Sequence, residues 1–304
     1  MQRDGRAGID VAVVERLIAA QFPQWQGLPV TPVEADGWDN RTYRLGDALS
    51  VRLPTAQGYV PAVDKERRWL PVLAPGLPLP IPREVGAGVP GEGYPFPWSV
   101  RTWLDGRPAS SAGAVDLPGL AVALAGFLLA LYRIDARGGP AAGEHSFHRG
   151  AWPGHYDDQT RQALRVLADR VDVRLATRVW DVALESRWSG PPVWFHGDVA
   201  AGNLLVRDGA LAAVIDFGTC GVGDPACDLV IAWTLPDPTA RAAFRAAIGL
   251  DAVIGLGAAI WARARGWALW KAAITSADPA TAPADAALAE RVIARVLQDH
   301  RGCT

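Results

Sequence analysis

The sequence predicts an α+β protein in two lobes, the first rich in β-strands and the second mainly helical. Three observations carry this. Short strand-like segments broken by Gly, Pro and Asp turns fill the chain up to about residue 104. From residue 117 onward, long apolar stretches at helical spacing dominate. Two short motifs, WFHGDVAAGNLLV from Trp194 and VIDFG from Val214, interrupt those helices and are flanked by strand-like residues. The expected lobes are 1–104 and 105–304.

In chain order, Asp10 is placed to cap a helix through about Gln21, with Val11, Val14, Leu17 and Ile18 on one face. Residues 29–35 read as a first strand. Residues 43–45 and 49–53 read as a hairpin turning at Gly46-Asp47. A helix is expected over 60–73, where Val63, Arg67 and Leu70 recur at helical intervals. The Pro/Gly-rich stretch from Pro75 to Trp98 cannot be one helix and should alternate loops with short strands. A strand follows over 98–104, ended by Asp105-Gly106. Helices are expected at 117–134, 156–168 and 177–187, then strands at 193–195, 204–206 and 211–215. Asp224-Pro225 opens a helix to about Leu235, with Asp as cap and Pro at the first helical position. The Ala-rich segments 239–274 and 284–300 complete the helical part.

Composition sets bounds on function. Half the residues are hydrophobic, enough for two cores, and the formal net charge of −2 gives no reason to expect a nucleic-acid partner. The N-terminus lacks the apolar core of a signal peptide. The longest apolar run, 120–132, is too short to cross a bilayer, so no membrane partner is expected. Cys220, Cys227 and Cys303 have no zinc spacing, as expected of a reduced, cytoplasmic protein with free thiols. His145, His148 and His155 lie in a loop-rich stretch without tight ligand spacing. Trp261, Trp267 and Trp270 form a helical stripe, read first as core packing and second as the wall of a substrate cleft. Lys65 and Lys271 are the only lysines; every other basic side chain is arginine.

The two motifs carry chemistry. His196, Asp198 and Asn203 form an H-x-D-x-x-x-x-N run, and Asp216 opens a D-F-G. Kinases use this spacing to place a catalytic carboxylate and two metal ligands around a nucleoside triphosphate. A hydroxyl attacking phosphorus needs a proton acceptor, the role of Asp198. The charge on the transferring group calls for Mg²⁺, which takes hard oxygen ligands such as the Asn203 amide and the Asp216 carboxylate.

HGDVAAGNLLV, VIDFG and GDPACDL together resemble the aminoglycoside phosphotransferase and choline kinase-like group, small-molecule relatives of protein kinases. The likeness runs from about residue 34 to 235, and the His-Gly-Asp form points to this group. It implies a two-lobed protein-kinase-like fold using ATP or GTP with Mg²⁺, and a hydroxylated small-molecule acceptor. An aminoglycoside-like antibiotic is first among the acceptors; macrolides, choline-like alcohols, sugars and peptide antibiotics stay open. The oligomeric state is left open.

The resemblance assigns further roles. The loop 37–43 covers phosphate, with Gly37 and Asn40 as contacts, although it is no G-x-G-x-x-G. The strand that carries a lysine in protein kinases here reads LSVRLP, so Arg52 takes the place of that lysine and Glu66 is its helix partner. Some branches of the group, macrolide phosphotransferases included, have arginine there. Replacing Arg52 with alanine is expected to change nucleotide use with little effect on folding. The hinge is 100–104, with Thr102 and Leu104 reading the base through their backbones. Asp228 anchors the catalytic-loop backbone, with His196 supporting it, and Asp224 is a cap. For a polycationic acceptor, Asp157, Asp158 and Asp237 are candidate cleft acids. Two competing readings remain. One is a non-catalytic nucleotide-binding relative, supported by the missing lysine. The other is a protein kinase, disfavoured because no A-P-E follows the D-F-G.

Overall fold

The computed structural model describes residues 8–33, 37, 39–249 and 257–302. The chain divides into two compact units, Met1–Val115 with Ala201–Gly218, and Asp116–Ala200 with Thr219–Thr304. The first unit therefore runs past the expected boundary after Leu104 and takes in the segment that carries Asn203 and Asp216.

The first unit is built on a five-stranded antiparallel sheet of order β1-β2-β3-β5-β4. The strands are β1 Val30–Pro32, β2 Asn40–Leu45, β3 Leu49–Pro54, β4 Glu84–Gly88 and β5 Trp98–Thr102. The hairpin β2–β3 closes with Leu45 opposite Leu49, and Gly46 takes the left-handed turn conformation at φ 58°. Helix α1, Val11–Gln21, is capped by the Asp10 carboxylate, which accepts from the Val13 N–H. Its Val14, Leu17 and Ile18 join Tyr43, Leu45, Val51, Leu53, Trp98 and Val100 in one core. Gly88 makes room for Trp98, whose indole lies 2.1 Å from where a Cβ would stand.

Strand alternation then decides where the polar residues go. Val51, Leu53 and Val100 enter the core, so Ser50, Arg52, Ser99 and Arg101 share the opposite face. The register sets Arg52 against Ser99 and Ser50 against Arg101, which makes the two arginines diagonal neighbours. Helix α2, Val60–Leu73, buries Val63, Glu66 and Leu70, the i, i+3, i+7 positions of one stripe. A second small sheet completes this unit. Strand β6, Arg107–Pro108, pairs with β8, Leu204–Arg207, which pairs with β9, Ala210–Val214.

The second unit is helical. It holds α3 Leu117–Arg133, α4 Asp157–Val166, α5 Val173–Glu185, α6 Ile231–Thr234, α7 Pro238–Gly249, α8 Ala258–Ala277 and α9 Pro283–Arg301. Helix α3 packs on α7, and α8 on both α5 and α9. Strands β7, Val193–Phe195, and β10, Gly221–Gly223, pair antiparallel and deliver the chain to His196.

Most expected elements are present, with two differences. Helix α5 starts at Val173, four residues before the expected start, because the Asp172 carboxylate caps it through the Leu175 N–H. The helix expected from Asp224 is a 3₁₀ turn over Pro225–Val230 followed by the short α6, although Asp224 does cap it. The segment 239–274, expected to be helical, holds most of α7 and of α8. The expected strand residues Glu34 and Ala35, the middle of 239–274 and Cys303 lie outside the described residues; Cys220 and Cys227 are buried and form no disulfide. Among the described residues, no helix is long and apolar enough to cross a membrane.

Candidate active site

In the first unit, a cavity of about 690 Å³ is lined by Gly37, Asn40, Arg52, Thr102, Leu104, Asn203 and Asp216, among others. Seven residues singled out from the sequence thus face one space. The β8–β9 hairpin explains the last two. Leu204 pairs with Val214, and the Asn203 carbonyl accepts from the Ile215 N–H at 2.9 Å. Asn203 and Asp216 therefore leave the open end of one hairpin side by side. Asp216 sits at φ 68°, a left-handed conformation that aspartate tolerates better than bulkier residues. Such local strain is common at functional sites.

Beneath the cavity, Glu66 ties two arginines together. Its Oε1 accepts from Arg52 Nη1 at 3.3 Å and its Oε2 from Arg101 Nη2 at 2.7 Å. Arg52 also donates to Asp216 Oδ1 at 2.5 Å and lies 3.8 Å from Asp39 Oδ2. Burial disfavours the Arg52 charge, but Asp216, Glu66 and Asp39 outweigh it and hold its pKa above the usual range. Burial likewise works against the Glu66 carboxylate, yet Arg101 and Arg52 win and hold its pKa below the ordinary value. Asp39 is pushed up, first by burial and then by the neighbouring Asp216 charge. Three carboxylates thus share two guanidinium groups. Asp216 and Asn203 supply the hard oxygen donors that Mg²⁺ takes, so these residues fit that ion.

At the expected hinge, the Trp103 N–H is committed to the Ala48 carbonyl at 2.7 Å, and the Thr102 N–H to the Arg83 carbonyl at 2.9 Å. The residues on either side of Trp103 line the cavity.

The second unit holds the other half of the motif. The buried Asp228 carboxylate accepts the N–H of His196 at 2.9 Å and of Gly197 at 2.7 Å. His196 Nδ1 accepts the Asp198 N–H at 3.2 Å, and the Thr219 hydroxyl donates to the His196 carbonyl at 2.9 Å. Gly197 is at φ +87°, and a Cβ there would stand 2.8 Å from Thr219 Oγ1. Only glycine suits both demands. The loop backbone is thus pinned on both sides, while the Asp198 side chain belongs to a half-buried residue. Asp224, beyond capping, forms a buried ion pair with Arg263 at 2.6 Å.

Several residues escaped the sequence reading. Asp39 stands in the loop assigned to phosphate, and Arg101 shares the strand face of Arg52; the period-two pattern of WSVRT carried that signal. The histidines meet in part: His148 and His155 stack with ring centroids 3.4 Å apart. Among the described residues, no group of three His, Cys, Asp or Glu side chains is placed to hold a metal ion. Trp267 and Trp270 are buried, so packing is their main role, and Trp261 is half-buried.

A two-unit fold with these motifs is that of the small-molecule kinases, and comparison with known proteins agrees. A family model described as the phosphotransferase enzyme family matches residues 30–267. The chain belongs to that family and is a phosphotransferase. Among solved structures, it is similar to the GDP complex of aminoglycoside 2'-phosphotransferase-IIIa, with TM-score 0.69 and 17% identity, covering 96% of this chain and 100% of that one. It is also similar to macrolide 2'-phosphotransferase MphH from Brachybacterium faecium, with TM-score 0.60 and 24% identity over 94% and 98% of the two chains. A third neighbour is a thermostable mutant of aminoglycoside phosphotransferase APH(4)-Ia bound to AMP-PNP and hygromycin B, with TM-score 0.63 and 18% identity, covering 94% and 98%. At these identities the likeness shows the fold. A search of curated sequences finds no match.

Proposed function

We propose that the protein transfers the γ-phosphoryl group of ATP or GTP to a hydroxyl of a small molecule. The observation that carries this reading is the shared cavity of the first unit. It gathers the hinge residues Thr102 and Leu104, the cation Arg52 and the oxygen donors Asn203 and Asp216. The acceptor oxygen forms a bond to the γ-phosphorus, the bond from that phosphorus to the β–γ bridging oxygen breaks, and the diphosphate leaves with the electron pair. The hydroxyl proton passes to Asp198. Mg²⁺, when bound, neutralises phosphate charge through Asn203 and Asp216. In this reading Arg52, held by Glu66, grips phosphate oxygens with its planar fork. Gly37 and Asn40 cover the phosphates, Asp228 fixes the loop through two amides, and His196 braces the Asp198 amide. The solved neighbours named with GDP and AMP-PNP support a nucleotide co-substrate.

The acceptor belongs to the hydroxylated small molecules. A polycationic aminoglycoside needs carboxylates free to face it. Of the three candidate acids, Asp157 accepts from Arg161 at 2.8 Å and from the Trp180 indole at 2.7 Å. Asp237 accepts the N–H groups of Thr239 and Ala240 at the start of α7. Only the exposed Asp158 remains uncommitted. The testing experiment measures nucleoside diphosphate release over a panel of hydroxylated antibiotics and metabolites. Acceptor-stimulated release is expected with at least one. Nucleotide binding with no release, hydrolysis included, would overturn the reading in favour of a non-catalytic relative.

A further inference from the structure

The cavity of the first unit rests on an unbalanced ionic group, and the imbalance comes from a residue outside both sequence motifs. Arg52 Nη2 meets Asp216 Oδ1 at 2.5 Å and lies 3.8 Å from Asp39 Oδ2, while its Nη1 meets Glu66 Oε1 at 3.3 Å. Arg101 Nη2 meets Glu66 Oε2 at 2.7 Å. Three carboxylates against two guanidinium groups leave these five side chains with one net negative charge. Glu66 and Arg101 are buried and form their own pair, so the excess falls on Asp39 and Asp216, which share Arg52. The two carboxylates lie close together: a Cβ added to Gly218 would stand 3.6 Å from an oxygen of each. Each side chain is only 24% exposed, so salt and water screen it poorly. The backbone of Asp39 is held in place, because its carbonyl accepts the Thr55 N–H at 2.9 Å and the Thr55 hydroxyl at 3.1 Å. Arg52, Asp216 and Asn40, the residue after Asp39, all line the cavity. The other two arginines of the lining belong to the hinge end. Arg44 lies 4.7 Å over the Trp103 ring, and the exposed Arg107 follows the hinge in the chain.

A bare triphosphate that reaches for Arg52 meets like charge from Asp39 and Asp216. The same triphosphate with a divalent cation brings positive charge to that point. Asn203 and Asp216 already supply the oxygen donors the ion takes, so Asp39 adds charge that neither they nor the phosphate grip of Arg52 requires. We propose that Asp39 sets the form of the co-substrate: its carboxylate makes the site refuse the metal-free nucleotide and accept the nucleotide with its divalent cation. This rests on the phosphotransferase reading and deepens it, since the repulsion is directed against one form of the same ligand.

The test is a binding measurement and needs no turnover. Dissociation constants of AMP-PNP and GMP-PNP are measured by calorimetry, once with excess Mg²⁺ and once with EDTA, at a mildly alkaline pH that keeps the carboxylates ionised. Asp39→Asn and Asp39→Ser remove the charge, and Asp39→Glu keeps it. Asp64→Asn, at an exposed carboxylate paired with Arg67, changes the net charge elsewhere in the same unit. Urea unfolding checks the fold of each variant. For whichever nucleotide binds, both neutral variants should tighten metal-free binding about tenfold, a gain of about 1.4 kcal/mol, and shift Mg²⁺-bound affinity by less than about threefold. Asp39→Glu and Asp64→Asn should discriminate between the two forms as the native protein does. Metal-free binding by the neutral variants that stays undetectable or within about twofold of native would overturn the proposal. So would equal tightening with and without Mg²⁺, the same tightening in Asp64→Asn, or loss of the native fold in both neutral variants. Failure of the native protein to bind either nucleotide in either form would instead count against the phosphotransferase reading, and the proposal would fall with it.

Discussion

Replacing Arg52 tests how the first unit couples stability to nucleotide use. The guanidinium is largely buried and meets Asp216 at 2.5 Å, Glu66 at 3.3 Å and Asp39 at 3.8 Å. Removing one partner of a buried ion pair costs about 3–5 kcal/mol, chiefly because charge is left uncompensated. Glu66 keeps Arg101 at 2.7 Å, so its share of that loss is small. Asp216 and Asp39 lose the cation and repel each other. Arg52→Ala should therefore destabilise the protein by about 2–3 kcal/mol, at or below the low end of that range. The expectation from sequence, that this change leaves folding nearly untouched, is replaced by this one. Arg52→Lys keeps the charge but cannot reach three carboxylates with one ammonium, and should lose about 1 kcal/mol. Urea unfolding with a constant m-value measures both. In kinetics, Arg52→Ala should raise the nucleotide KM and lower kcat, with Arg52→Lys between it and the native protein. If Arg52→Ala unfolds at the native midpoint with unchanged nucleotide dependence, the network has no energetic role and the phosphate assignment is wrong.

Other predictions follow from the same geometry. Glu66 has a folded pKa below its ordinary 4.5, so the stability it contributes is present above that pH and is lost as pH falls through the folded value. Glu66→Gln should thus be destabilised at pH 7, and the gap to the native protein should close on acidification in parallel urea titrations; a gap that widens in acid would refute the assignment. Gly197→Ala should lose at least about 1–3 kcal/mol, from the left-handed backbone and the Thr219 clash, and thermal unfolding at the native temperature would show that the loop is less constrained than described. Asp216→Ala should lose more Mg²⁺-dependent nucleotide affinity than Asn203→Ala, since a carboxylate brings charge as well as a lone pair; calorimetry giving equal affinities in all three proteins would remove both from the metal site.

Much of this was legible in the chain, for physical reasons that differ between elements. The core side of the first sheet follows from period-two alternation, and α1 from Asp10 and its apolar stripe. Asn203 and Asp216 come together because the four residues of β8 before one tight turn at Asp208-Gly209 and the five of β9 after it return the chain to its starting point; that turn was visible. The start of α5 was missed because Asp172 caps a stretch whose first turn, Val173 to Ala176, has no periodic signal of its own. Arg101 was missed although its strand position was known, because its value depends on Glu66, 35 residues away.

The central claim is that Asp198 accepts the proton of the attacking hydroxyl. Single-turnover transfer by Asp198→Asn, with nucleotide affinity measured on the same protein, tests it most directly. General-base loss should slow transfer by ~10²–10⁴-fold, while nucleotide affinity stays within about threefold, a difference of less than 1 kcal/mol. Transfer within tenfold of the native rate would contradict the account.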